Sequence, residues 1–225
     1  MFNSSFDAIV PMLCVTLAAL AVMGAEAFRD RGERMPIGGL GIIGLIGAAV
    51  SSVLLWNRNT SSFGVVVADN FGLFVTLVLV LVGILTIMFS SQVLEVNEVP
   101  AGEYYALLLF SIAGMMMMAT ANDLLIIFLA LEILSVSVYV LTGIRRDDPR
   151  ATEAAFKYFL LGAFSSAFFL YGIAFTYGVT GSTRLDRVGA FLAAQALTGN
   201  PLILVALGLL MVGFAFKISA VPFHM

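Results

Sequence analysis

Charge is scarce in this sequence. Only 11% of its 225 residues are Asp, Glu, Lys or Arg, and 61% are hydrophobic, whereas a soluble domain carries about 25% charge and about 45–50% apolar residues. The mean hydropathy is +1.06. A water-soluble fold of this length cannot hide so much apolar surface, because surface grows almost as fast as volume; the bilayer must be the solvent. Basic residues are few and scattered and the net charge is −3, so nucleic-acid binding has no support. The single cysteine, Cys14, excludes an internal disulfide and a four-thiolate iron–sulfur cluster, and reads as a small core residue. Met1 to Asp7 carries no positive charge, so no cleavable signal peptide is expected. The pattern Gly38-Gly-Leu-Gly41-Ile-Ile-Gly44 mimics a dinucleotide fingerprint, but it lies inside an apolar run and follows no strand.

What is abundant is long apolar runs. A spanning helix needs roughly 20 such residues. Seven runs approach that length, near 8–28, 36–56, 71–90, 104–121, 123–143, 154–178 and 201–222. The fold class expected is therefore all-α: a polytopic transmembrane bundle of about seven spans, the last broken by proline. Glu26 interrupts the first run late and belongs at the interface. Gly38, Gly41, Gly44 and Gly47 in the second allow close approach of helix backbones. The run Met115 to Met118 reads as adaptable packing. Segment 63–70 reads as a short extended piece, with Asp69 and Asp123 capping the helices that follow them.

Arginine sets the topology. Arg29, Arg31, Arg34, Arg145, Arg146 and Arg150 fall in connections on one side, and Arg58, Arg184 and Arg187 on the other. Segment 91–103 belongs to the richer side and has only Glu95, Glu98 and Glu103, but acidic residues weigh little in the positive-inside rule. The amino terminus is placed outside.

Three charges sit where charge is expensive. A lone ionised residue at the bilayer centre costs about 2.5–3.5 kcal/mol on insertion scales, so three uncompensated ones would cost roughly 8–10 kcal/mol. Glu132 lies nine residues past Asp123, about 14 Å along a helix and close to the midplane. Ser135 and Tyr139 share its face at i+3 and i+7. Glu132 reads either as a hydrogen-bonded structural glutamate or as a titrating, ion-pairing carboxylate. Lys157 follows Glu153 at the favoured helix-pair spacing and lies near the start of its run, so spacing alone leaves it divided between an interfacial snorkelling role and a functional one. Lys217 is harder to explain as structure. Pro222 clashes with the Ile218 carbonyl and pushes Val221 out of helical geometry, so the helix should break within about a turn of Lys217. Broken helices at membrane depth survive where protein or water satisfies the freed backbone, and a lysine beside one is an ion-path arrangement. His224, the only histidine, follows at once and fits a proton relay.

These segments resemble a known family. Ala121-Asn-Asp-Leu-Leu-Ile-Ile-Phe-Leu-Ala-Leu-Glu132-Ile-Leu-Ser-Val-Ser-Val-Tyr139 is similar to the fifth span of the antiporter-like membrane subunits of respiratory complex I. Glu153-Ala-Ala-Phe-Lys157-Tyr-Phe-Leu-Leu-Gly162-Ala-Phe-Ser-Ser166, with Leu170-Tyr-Gly172, resembles the sixth, and Phe216-Lys217-Ile-Ser-Ala-Val-Pro222-Phe-His224 the broken seventh. Within the family the combination is most similar to the subunit N group, with the match strongest over residues 119–225. The resemblance implies that Glu132 pairs with Lys217, that Lys157 belongs to the central proton path and that His224 follows the proline of the broken helix. It implies three amino-terminal spans over 1–103 and a truncated first antiporter-like repeat over 104–225. The family is roughly twice this length, so the chain is expected to be one piece of a larger protein. No cofactor is expected in this chain; NADH, FMN, iron–sulfur clusters and quinone would belong to partner subunits. The partners implied are other membrane subunits of the complex, the lipid of the cell inner membrane, and protons.

The mechanism expected is electrostatic. An opposite charge within about 4–6 Å favours the charged form of a buried group by about 1–3 pKa units. Two units are about 2.7 kcal/mol, the same order as the roughly 2.3 kcal/mol needed to move a proton against 100 mV. The rivals are a multisubunit sodium/proton antiporter subunit, the membrane arm of a related hydrogenase or dehydrogenase, and a purely structural scaffold.

Overall fold

The computed structural model describes residues 6–28, 37–97, 99–194 and 200–222. A short 3-10 turn at Asp7–Ile9 leads into α1 (Val10–Ala27), followed by α2 (Ile37–Leu55), a hairpin of β1 (Thr60–Ser62) and β2 (Val66–Ala68), α3 (Asn70–Val96), α4 (Ala101–Thr120), α5 (Leu124–Thr142), α6 (Pro149–Thr180), α7 (Leu185–Ala194) and α8 (Pro201–Lys217). The first six helices are long and apolar enough to cross a membrane. The seventh apolar run becomes the shorter α8, which stops at Lys217 and is capped by Ile218, with Ser219 in the left-handed region at φ +53°. The break therefore falls immediately after the lysine, where Pro222 excludes further helix.

Two helices overrun their apolar runs, α3 past its end to Val96 and α6 ahead of its start at Pro149. Asp148 accepts from the Arg150 amide and Pro149 occupies the first turn, so α6 begins ahead of its run. Asp69 accepts from the Gly72 amide at 2.7 Å and starts α3; Asp123 accepts from the Leu125 amide at 2.8 Å and starts α5. Both capping expectations hold.

Helices α1 to α4 pack around one dry core that includes Val15, Val22, Leu45, Leu109 and Met116. Helix α5 joins this group to α6 and α8 through α4. The glycines of α2 serve close approach. A Cβ on Gly44 would overlap the Ala18 methyl and lie 3.1 Å from the Cys14 carbonyl of α1. Cys14 itself is half-buried and packs against the same core.

At one end the links are sewn together by backbone. β1 and β2 pair antiparallel, Thr60 opposite Ala68. The Asn122 amide donates to Val65 O at 2.7 Å, Leu124 N to Thr183 O at 2.9 Å and Leu185 N to Asn122 O at 3.0 Å. Thr183 also donates to the second oxygen of Asp123 at 2.7 Å. The hairpin, the α4–α5 link and the α6–α7 link thus form one layer. At the opposite end Arg146 of the α5–α6 link pairs with Glu103 of α4 at 2.6 Å. This agrees with the grouping of segments 91–103 and 144–153 at one end and of Arg58 and Arg184 at the other; Arg29, Arg31 and Arg34 lie outside the described residues. Helix α7 is not anticipated by the apolar runs: it is short, has no buried residue and carries its apolar side chains at amphipathic spacing.

Candidate functional site

Glu132 is the ninth residue of the nineteen-residue α5, about 12 Å from its start and about 15 Å from its end. It is half-buried against α6, where Ser166 donates to its Oε1 at 2.5 Å. Ser135 and Tyr139 continue the same stripe and are buried. Lys217 is the last residue of α8, and its ammonium donates to the Ser135 hydroxyl and, at 3.2 Å, to Tyr139 Oη. Depth explains the meeting. The sixteen steps from Pro201 to Lys217 rise about 24 Å, and Asp123 to Tyr139 spans the same number of steps and the same rise.

Lys217 Nζ sits at a helix end and against two aromatic rings. The residue lies in the last turn of α8, where exposed carbonyls make the helix end negative. The Tyr139 ring centroid is 5.4 Å from Nζ and that of Phe216 5.8 Å, both within cation–π range. Among the described residues no ion pair joins Glu132 to Lys217. The two charges belong to one polar stripe, and each has a neutral hydrogen-bond partner.

The other candidates are placed differently. Lys157 is on the exposed side of α6, its side chain 67% accessible, and pairs with Glu153 at 2.5 Å; the structure does not bring it to Glu132 or Lys217. His224 lies outside the described residues. Two participants escape sequence reasoning as named roles. Ser166 holds Glu132, and Gly162 lies against the Tyr139 hydroxyl. The one available signal was their position among bulky apolar neighbours in the sixth run. Among the described residues no three His, Cys, Asp or Glu side chains converge as a metal nest.

A family model described as NADH:quinone oxidoreductase/Mrp antiporter, transmembrane, matches residues 121–225, the stretch that holds α5, α6 and α8. Residues 121–225 belong to this family. The similarity extends beyond that stretch. The NADH-quinone oxidoreductase subunit N of Trichlorobacter lovleyi is 39% identical over 222 residues, 98% of this chain and 46% of the relative. A chain of respiratory complex I from Thermus thermophilus superposes with a TM-score of 0.76 at 32% identity, covering 95% of this chain and 45% of that one. A chain of an archaeal membrane-bound sulfane sulfur reductase shares the fold, with a TM-score of 0.80 at 24% identity over 98% of this chain and 46% of that one. The chain spans about half the length of the curated relatives it matches.

Within an antiporter-like family the stripe has a clear chemical capacity. Carboxylate, ammonium and hydroxyls are all proton donors or acceptors, and none of them needs a covalent step to pass a proton.

Proposed function

We propose that this chain is the amino-terminal half of a proton-translocating membrane subunit of an NADH–quinone oxidoreductase, and that Glu132 and Lys217 carry the proton step. The observation that supports it is the placement of two ionisable side chains of opposite sign on one stripe at membrane depth, beside the end of a broken helix. A charge there costs about 2.5–3.5 kcal/mol, so its presence favours use over mere structure. When Glu132 and Lys217 approach, each stabilises the other's charged form; when they part, that stabilisation is withdrawn and a proton is released or taken up. The push would come from electron transfer to quinone in partner subunits, which would hold the NADH site, the FMN and the iron–sulfur clusters. We place the protein in the cell inner membrane with its amino terminus outside, and divide it into three leading spans over 1–103 and a partial antiporter-like repeat over 104–225. Lys157 and His224 enter as further stations of the path.

The test is made in the full-length subunit within its complex. Lys217→Ala and Glu132→Ala are each expected to abolish most proton transport while the complex assembles normally. Lys157→Ala is expected to lower it less, since that side chain is held apart by Glu153. Intact coupled transport in both of the first two variants would overturn the reading. The family also includes Mrp antiporters, which gives a second reading as a cation/proton antiporter subunit; transport that requires sodium would select it.

A further inference from the structure

Lys217 and Glu132 share a stripe, yet each is held by neutral groups instead of by the other. Ser135 donates its own proton to the Leu131 carbonyl one turn back, which leaves its oxygen lone pairs for the ammonium. Tyr139 supplies a second oxygen and a ring face. The phenol reaches this spot because residue 162 has no side chain. A Cβ there would overlap the Tyr139 hydroxyl and the adjoining ring carbon, and would lie 3.1 Å from Cε1. The ring has little room to yield. Tyr139 is buried, with Tyr158 packed edge-on at 4.6 Å between centroids and Phe159 at 6.0 Å.

We propose that Ser135 and Tyr139 form a hydroxyl seat that holds the Lys217 ammonium apart from Glu132, and that Gly162 is the residue that positions it. This rests on the proton-step reading above and deepens it. Separating a buried ion pair normally strands two unsolvated charges. Here the separated arrangement gives the ammonium two oxygens and a ring, and gives the carboxylate the Ser166 hydroxyl. Both arrangements of the pair are then satisfied, so their equilibrium stays near balance and a modest push shifts it. Without the seat, the closed ion pair becomes a trap. Gly162 acts through the Tyr139 hydroxyl that fills the space its missing side chain leaves.

The experiment uses membrane vesicles carrying the full-length protein in its complex, with NADH-driven proton transport read per assembled complex. Lys217→Ala sets the floor. Tyr139→Phe keeps the ring and removes the oxygen; Ser135→Ala removes the other oxygen. Each is expected to slow transport about tenfold, the scale of one hydrogen bond to a charged group. Gly162→Ala is expected to lose a similar amount alone and to add little on top of Tyr139→Ala, which removes both the hydroxyl and the ring carbons that the new methyl would strike. Losses that multiply in that double variant would make Gly162 a packing residue and overturn its role. Unchanged transport in Tyr139→Phe and Ser135→Ala, with Lys217→Ala inactive, would overturn the seat and leave the proton step standing. Unchanged transport in Lys217→Ala would remove both. If Gly162→Ala does not assemble, the two oxygen deletions still decide whether the seat exists.

Discussion

Ser52, Thr76 and Ser111 in α2, α3 and α4 each donate to a carbonyl of their own helix, at 2.7, 2.9 and 2.7 Å. Ser166 of α6 donates instead to a carboxylate of α5, and Ser135 of α5 receives an ammonium from α8. The residue types are alike, but the reach differs. A hydroxyl that bonds only within its own helix leaves neighbours to pack by apolar shape alone. A hydroxyl satisfied across helices ties the position of one rod to the charge on another. On the proposed proton step, the first four helices serve as a scaffold, and α5, α6 and α8 form the unit whose geometry would respond to protonation.

The sharpest way to break this contrast is to put a charge into the dry half. Leu109 is fully buried in α4. Leu109→Lys should cost about 2.5–3.5 kcal/mol for the charge alone, plus about 2–5 kcal/mol of lost packing. The expected result is almost no folded protein, measured as yield from detergent-solubilised membranes. Next in size is Gly44→Val, which wedges α1 from α2. It should lower stability by about 1–3 kcal/mol as overpacking does, read as a lower melting temperature, with transport per folded molecule retained. A paired comparison sharpens the contrast with the smallest change. Ser166→Ala should slow proton transport about tenfold for one lost hydrogen bond to a charged group, whereas Ser111→Ala, which breaks only a bond within α4, should leave transport unchanged in the same vesicle assay. Equal effects of the two alanines would erase the distinction between scaffold and moving unit.

Much of this was legible in the residues. Glu132 and Lys217 stand out because charge is costly in apolar runs. Asp69 and Asp123 announce helix starts because their short side chains accept from the first free amides. Pro222 announces the break. The remainder was hidden for physical reasons. Helices that are apolar all round carry no facial pattern, so nothing in α6 told that Lys157 faces outward while Ser166 faces α5. The bond between Ser166 and Glu132 spans 34 positions, and only tertiary packing selects that pair from the other hydroxyls. The sewing of Asn122 to Val65 and Leu185 is made by backbone groups, which every residue possesses. Helix α7 is too short and too polar to register as an apolar run.

The sewn layer also fixes a fulcrum. Asp123 and Thr183 lock the starts of α5 and the end of α6 to each other, so any tilt between these two rods turns about that point. Glu132 stands about 14 Å along the arm and Tyr139 about 24 Å along it. One small rotation therefore opens the tyrosine end of the stripe nearly twice as far as the glutamate end, and the lysine at the tip of α8 rides on the part with the longer throw.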